Sequence, residues 1–116
     1  MEDLVTFEIA KKLKEKGFDY PCVGHYVNNQ LYIAHYYNAY HSDKDESPDA
    51  PTISQVLKWL RDEKKLHICI SLGEFSDWVY DISKIEGNVF CEAMDGFHSY
   101  EEAALAGVNY CLENLI

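Results

Sequence analysis

Cys22 and His25 stand three residues apart, and His35 follows ten residues further on. A thiol beside an imidazole can serve as a nucleophile with a general base at hand. The bland alternative, a buried thiol beside a sheet histidine, is the reading adopted, because free cysteine packs as a small hydrophobe. His35, His41 and Asp43 are donor types that hold divalent metals, but their spacing matches no diagnostic ligand set. Asp43, Asp45 and Asp49 resemble the start of a calcium loop. The EF-hand pattern needs Gly at its sixth position and Glu at its twelfth, and counted from Asp43 those positions hold Pro48 and Ser54. Asp77 and Asp81 lie on neighbouring faces of a turn and a strand, so they form no general acid/base couple. The chain contains no G-x-S-x-G, no Gly-rich phosphate loop, no H-E-x-x-H and no C-x-x-C. No catalytic residue, metal set or cofactor is therefore assigned.

The densest chemistry is aromatic. Tyr20, His25, Tyr26, Tyr32, His35, Tyr36, Tyr37, Tyr40 and His41 crowd around a predicted hairpin, Cys22 to Val27 and Gln30 to Tyr36. Asn tolerates positive φ, so Asn28-Asn29 fits a two-residue turn; a three-residue turn would exchange the faces of the strands. Cross-strand aromatic pairs stabilise a sheet, and the same residues suit a recognition surface. Tyr26, Tyr32, His35, Tyr36 and Tyr37 are the candidate binding residues.

The elements that must position them follow from caps and periodicity. Thr6 can cap a helix from about Phe7 to Lys16, whose stripe is Ile9, Ala10 and Leu13 and whose stop is Gly17, with Phe18 folding back. Residues 38–51 read as one long polar loop. Thr52-Ile53-Ser54-Gln55 is a capping box for a helix to about Lys64, with Ile53, Val56, Leu57 and Leu60 on its buried stripe and Trp59 beside it. His67 to Leu72, Trp78 to Ser83 and Val89 to Met94 alternate as strands, and Asp95-Gly96 closes the last. Ser99 caps a final helix to Leu115 whose band is Ala103, Ala104, Gly107, Val108, Cys111, Leu112 and Leu115. Gly107 lowers helix propensity by about 1 kcal/mol against Ala, and close packing on the sheet is the expected compensation. The order is α-β-β-α-β-β-β-α. The prediction is an α+β fold with antiparallel sheet or sheets packed by three helices. A single domain spans 1–116, composed of a helix and hairpin over 6–36 and an α-β-β-β-α unit over 52–115.

The 116 residues carry 20 acids against 10 bases, a net charge of −10. Residues 66–116 hold one base, Lys84, against nine acids, whereas residues 1–65 hold nine against eleven. Such a C-terminal half repels a phosphate backbone and suits a basic protein partner. No run approaches the length of a membrane span. The start, Met1-Glu2-Asp3-Leu4, is acidic where a leader would be basic. A soluble, cytoplasmic chain is expected, with its four cysteines as reduced core thiols.

Residues 52–115 resemble the double-stranded RNA-binding domain in order of elements. That family grips phosphates with a lysine-rich start to its last helix; here the corresponding stretch is Ser99-Tyr100-Glu101-Glu102-Ala103-Ala104, so the resemblance is one of topology only. The pieces AKKLKEKGF, APTISQVLKWLRDEKKLHI and FHSYEEAALAGVNYCLENLI resemble a family of small uncharacterised proteins from gut bacteria and their phages. That resemblance implies an intracellular, phage-related protein and supplies no catalytic residues. The expected function is non-enzymatic: a small acidic module that binds a protein or itself, with a phage-derived inhibitor of a host protein as one version. The alternative is a small-molecule- or metal-binding enzyme that uses Tyr and His of the hairpin and the 38–51 loop.

Overall fold

A computed structural model describes residues 3–22, 24–27, 30–33 and 48–116. Its class is α+β, and among the described residues it has three helices and two three-stranded antiparallel sheets. The chain divides into two compact units, Met1–Gln55 and Val56–Ile116.

In the N-terminal unit, helix α1 (Phe7–Glu15) starts where Thr6 Oγ1 accepts from the Ile9 N–H at 3.3 Å. It stops in a complete Schellman motif. Gly17 takes φ +89° and donates to Lys14 O at 3.2 Å, and Phe18 N donates to Leu13 O at 3.0 Å. The left-handed turn favours glycine, and the two bonds satisfy carbonyls the helix leaves open. Strands β1 (Gly24–Val27) and β2 (Gln30–Ile33) form the expected hairpin. The pairs Val27↔Gln30 and Tyr26↔Leu31 leave two residues between the strands, which selects the two-residue turn over the three-residue one.

The 38–51 segment is not loop throughout. Asp49–Ala50 form β3, antiparallel to β1, with Gly24↔Ala50 and His25↔Asp49 as partners. The sheet order is β2-β1-β3. Two residues carry no readable period, and this pairing is decided by the chain closing back on β1, where Tyr26 N donates to Pro48 O at 2.9 Å. Gly24 makes the approach possible: a Cβ there would lie 2.8 Å from Leu4 Cδ1 and 3.1 Å from the Ala50 carbonyl oxygen. Among the described residues of this unit, Val5, Ile9, Ala10, Leu13, Cys22, Tyr26, Pro48, Ala50, Pro51 and Ile53 are buried.

Helix α2 (Ile53–Glu63) opens on a capping box made in both directions. Gln55 N donates to Thr52 Oγ1 at 3.1 Å, and Thr52 N donates to Gln55 Oε1 at 2.9 Å. Replacing an N-cap threonine with alanine typically costs about 1 kcal/mol. Thr52→Ala is expected to lower stability by about that much, read as a shift of the urea midpoint at unchanged slope. The expected stripe is buried: Ile53, Val56, Leu57, Trp59 and Leu60.

The C-terminal unit is a sheet of order β4-β5-β6, made by Leu66–Leu72, Trp78–Lys84 and Val89–Phe97. Leu66, Ile68, Tyr80 and Ile82 are buried on its inner face, while His67, Cys69 and Ser71 alternate outward. Helix α3 (Tyr100–Tyr110) packs on this sheet, with Ser99 Oγ accepting from Glu102 N at 3.1 Å at its start. Ala103, Ala104, Gly107 and Val108 form its buried face. A Cβ on Gly107 would meet Ile68 Cγ2 at 3.2 Å and Tyr80 Cγ at 3.3 Å, so the missing side chain is what lets the helix lie this close.

Two boundaries differ from expectation. Strand β6 does not end at Asp95-Gly96 but runs to Phe97, because a bulge absorbs the extra residue between the pairs Tyr80↔Met94 and Trp78↔Phe97. Gly96 takes φ +89° in that bulge and donates to Asp77 Oδ2 at 2.8 Å. The last helix also changes hand-over pattern. Residues Cys111–Leu115 form a π-helical turn rather than continuing the α-helix.

Among the described residues no helix is long and apolar enough to cross a membrane.

Candidate functional site

Antiparallel partners that lie directly opposite share a sheet face. His25 is opposite Tyr32 on one side and opposite Asp49 on the other. Tyr32, His25 and Asp49 therefore form one row across β2, β1 and β3. The His25 and Tyr32 rings lie 5.7 Å apart with 31° between their planes. The row sets an acid, an imidazole and a phenol side by side, a combination that can hold and orient hydrogen-bonding groups of a partner.

Of the five candidate residues, the structure describes Tyr26 and Tyr32 and places them on opposite faces of the hairpin. Tyr26 is in the core. Its ring meets Phe7 edge-on at 5.5 Å, and its hydroxyl donates to the Val5 carbonyl at 2.8 Å. Burial raises the pKa of that hydroxyl. Tyr32 is 49 % exposed and is flanked by Leu31 at 45 % and Ile33 at 47 %. Every residue of β2 is exposed, and among the described residues β2 is an outer strand of its sheet. His35, Tyr36 and Tyr37 lie outside the described residues, as do His41 and Asp43.

Sequence reasoning missed Asp49 as a neighbour of His25, because it placed residue 49 in a loop. The alternation of β1 could have put His25 on the outward face, but only the β1–β3 register brings the carboxylate to it.

The thiols divide into two kinds. Cys22 and Cys111 are buried, as expected, whereas Cys69 is exposed and Cys91 is half-buried. Cys69 departs from the core reading because it takes an outward position of β4. Cys22 Sγ donates to Tyr20 O at 3.2 Å, and its pKa is pushed up to about 12 by burial and then by the Asp49 carboxylate. A thiol so placed stays protonated near neutral pH and does not act as a nucleophile. Cys111 is likewise pushed up to about 12, by burial first and by Cys91 second.

A raised thiol pKa means that the fold holds a proton the unfolded chain has already released. The stability these two thiols contribute is complete below the ordinary thiol pKa of 9.0 and is lost as pH rises from there toward about 12. Urea midpoints should hold up to about pH 9 and fall above it. Replacing Cys22 and Cys111 with alanine should flatten that alkaline fall. In the native protein a thiol reagent should label Cys69 first and leave Cys22 and Cys111 until unfolding, as peptide mapping would show.

Two depressions flank the C-terminal sheet. One, of about 410 Å³, is lined by Gly73, Glu74, Phe75, Asp77 and Asp95 among others. The second, of about 340 Å³, is lined by Lys64, Lys65, Leu66, Lys84, Glu86 and Leu115. Among the described residues no group of three His, Cys, Asp or Glu side chains is placed to hold a metal ion.

Compared with known proteins, the chain matches no family model, no curated protein and no solved structure.

Proposed function

We propose that this chain is a protein-binding module whose recognition surface is strand β2 with the row behind it. The observation that carries the reading is the run Leu31, Tyr32, Ile33: three consecutive large apolar side chains, each nearly half exposed, on an outer strand. Leu31 shares the face of its partner Tyr26, Ile33 that of Gly24 and Tyr32 the opposite face with His25, so the strand presents apolar side chains on both faces. Exposed apolar residues of this size mark interaction sites, and tyrosine is prominent among interface anchors. An outer strand also offers backbone groups to an incoming strand. The partner that fits is a protein with an apolar centre and a basic rim. The −10 charge of the chain steers such a partner, and its effect weakens with salt. A phage-derived inhibitor of a host protein is one form of this function.

The test is affinity capture from a gut-bacterial lysate, with mass spectrometry, by the native chain and by the Tyr32→Ala/Ile33→Asp variant. A partner retained by the first and lost by the second supports the reading.

The Asp49–His25–Tyr32 row favours a second reading, a small-molecule- or metal-binding enzyme centred on His25. A metabolite or metal that co-purifies with the native chain and is lost with His25→Ala would support it.

A further inference from the structure

The outer edges of the C-terminal sheet are protected very differently. Proteins guard exposed edges with charges, prolines and bulges, because an unguarded edge pairs with another strand. Strand β6 is guarded: two register shifts interrupt its pairing with β5, and it carries Glu92 and Asp95. Strand β4 is not. Its sequence, Leu66-His67-Ile68-Cys69-Ile70-Ser71-Leu72, contains no Asp, Glu, Lys, Arg or Pro. It pairs with β5 over seven consecutive residues without a shift. Among the described residues no strand pairs with its other edge.

Charge is also arranged along this strand. Lys64, Lys65 and Lys84, with Glu86 as the one acid among them, gather around Leu66 at one end. Glu74, Asp77 and Asp95 gather past Leu72 at the other, where Leu72 faces Trp78. The unit as a whole holds eleven acids and five bases, so collecting three of the five at one end of one strand makes that end locally cationic.

We propose that β4 pairs antiparallel with β4 of a second copy of this chain, across a twofold axis through Cys69. This register opposes Leu66 to Leu72, His67 to Ser71 and Ile68 to Ile70, so inner-face residues meet inner-face residues. It extends the sheet to β6-β5-β4-β4-β5-β6 with both α3 helices on one side. It also sets the lysine end of each copy against the acidic end of the other, which is what selects a second copy as the occupant. A like-charged pair of chains repels at long range, but screening confines that repulsion to about 10 Å, and in this register Lys65 and the other copy's Glu74 flank the opposed Leu66–Leu72 pair, whose strands lie about 4.8 Å apart. This strand belongs to Val56–Ile116 whereas β2 belongs to Met1–Gln55, and its pairing does not depend on the function proposed above.

Cys69 is exposed and would lie opposite its own counterpart. The test combines sedimentation with cross-linking by diamide, which joins the two thiols as a disulfide while the diamide takes up their two electrons and two protons. The expected result is a dimer of the native chain, and a disulfide-linked species that peptide mapping assigns to Cys69–Cys69 and that Cys69→Ser removes. Lys64→Glu with Lys65→Glu, next to the seam, should weaken the dimer about tenfold or more, and adding Glu74→Lys should recover part of it, which a mere folding defect would not allow. The proposal is overturned if the native chain sediments as a monomer, if no Cys69–Cys69 link forms, or if the lysine reversals leave dimerisation unchanged.

Discussion

Tyr80→Ala should destabilise the C-terminal unit by about 3–5 kcal/mol, the range for removing a large buried aromatic side chain. Tyr80 is 2 % exposed and stands at the centre of the sheet-to-helix contact. Its ring lies 5.7 Å from that of Phe97, and its Cγ is among the first atoms a side chain at Gly107 would reach. Deleting it removes both contacts and leaves a cavity that the helix cannot fill, because Gly107 has no side chain to offer. Gly107→Leu should also destabilise, by overpacking at about 1–3 kcal/mol. The two substitutions share one space, so the double variant should lose less than the sum of the singles. Both tryptophans, Trp59 and Trp78, lie in Val56–Ile116, so tryptophan emission during urea unfolding reports from residues of this unit. A loss of under about 1 kcal/mol for Tyr80→Ala would contradict the packing described here.

The second large effect is on binding rather than stability. Tyr32→Ala with Ile33→Asp should weaken partner binding by about a hundredfold or more, since interface energy concentrates in a few aromatic and aliphatic anchors. The same substitutions should change stability little, because both side chains are nearly half exposed in the free chain. Tyr26→Ala should do the reverse, since its ring and hydroxyl are spent on Phe7 and Val5. Comparing melting and binding across the three positions therefore separates a role in recognition from a role in support. High salt should slow association with a basic partner while leaving the apolar contact in place.

Local signals in the sequence carried much of the architecture. Thr6, Thr52 and Ser99 all accept the hydrogen bonds their positions foretell. The Gly17-Phe18 stop forms as a Schellman motif. The period-2 runs of the C-terminal unit pair as strands, and Gly107 is the close-packing residue its cost in helix propensity implied. What could not be read depends on partners distant in sequence. Asp49–Ala50 become a strand only because β1 is there to receive them. Gly96 looks like a turn residue, but the same positive φ serves a bulge within β6. The π-turn at Cys111–Leu115 changes a hydrogen-bond offset, which has no composition signal. The candidate surface was legible in the same proportion. Tyr32 stood out by type, whereas the exposure of Leu31 and Ile33 and the placing of Asp49 beside His25 came from the fold.

The central claim is that β2 is the surface by which this protein recognises another. Quantitative mass spectrometry of proteins captured by the native chain and by its Tyr32→Ala/Ile33→Asp variant, at low and high salt, tests it most directly. The account predicts a specific partner on the native chain that is missing from the variant at both salt levels, while the variant melts within about 0.5 kcal/mol of the native chain. Identical capture by the two chains, or a bound metabolite in place of any protein partner, would contradict it.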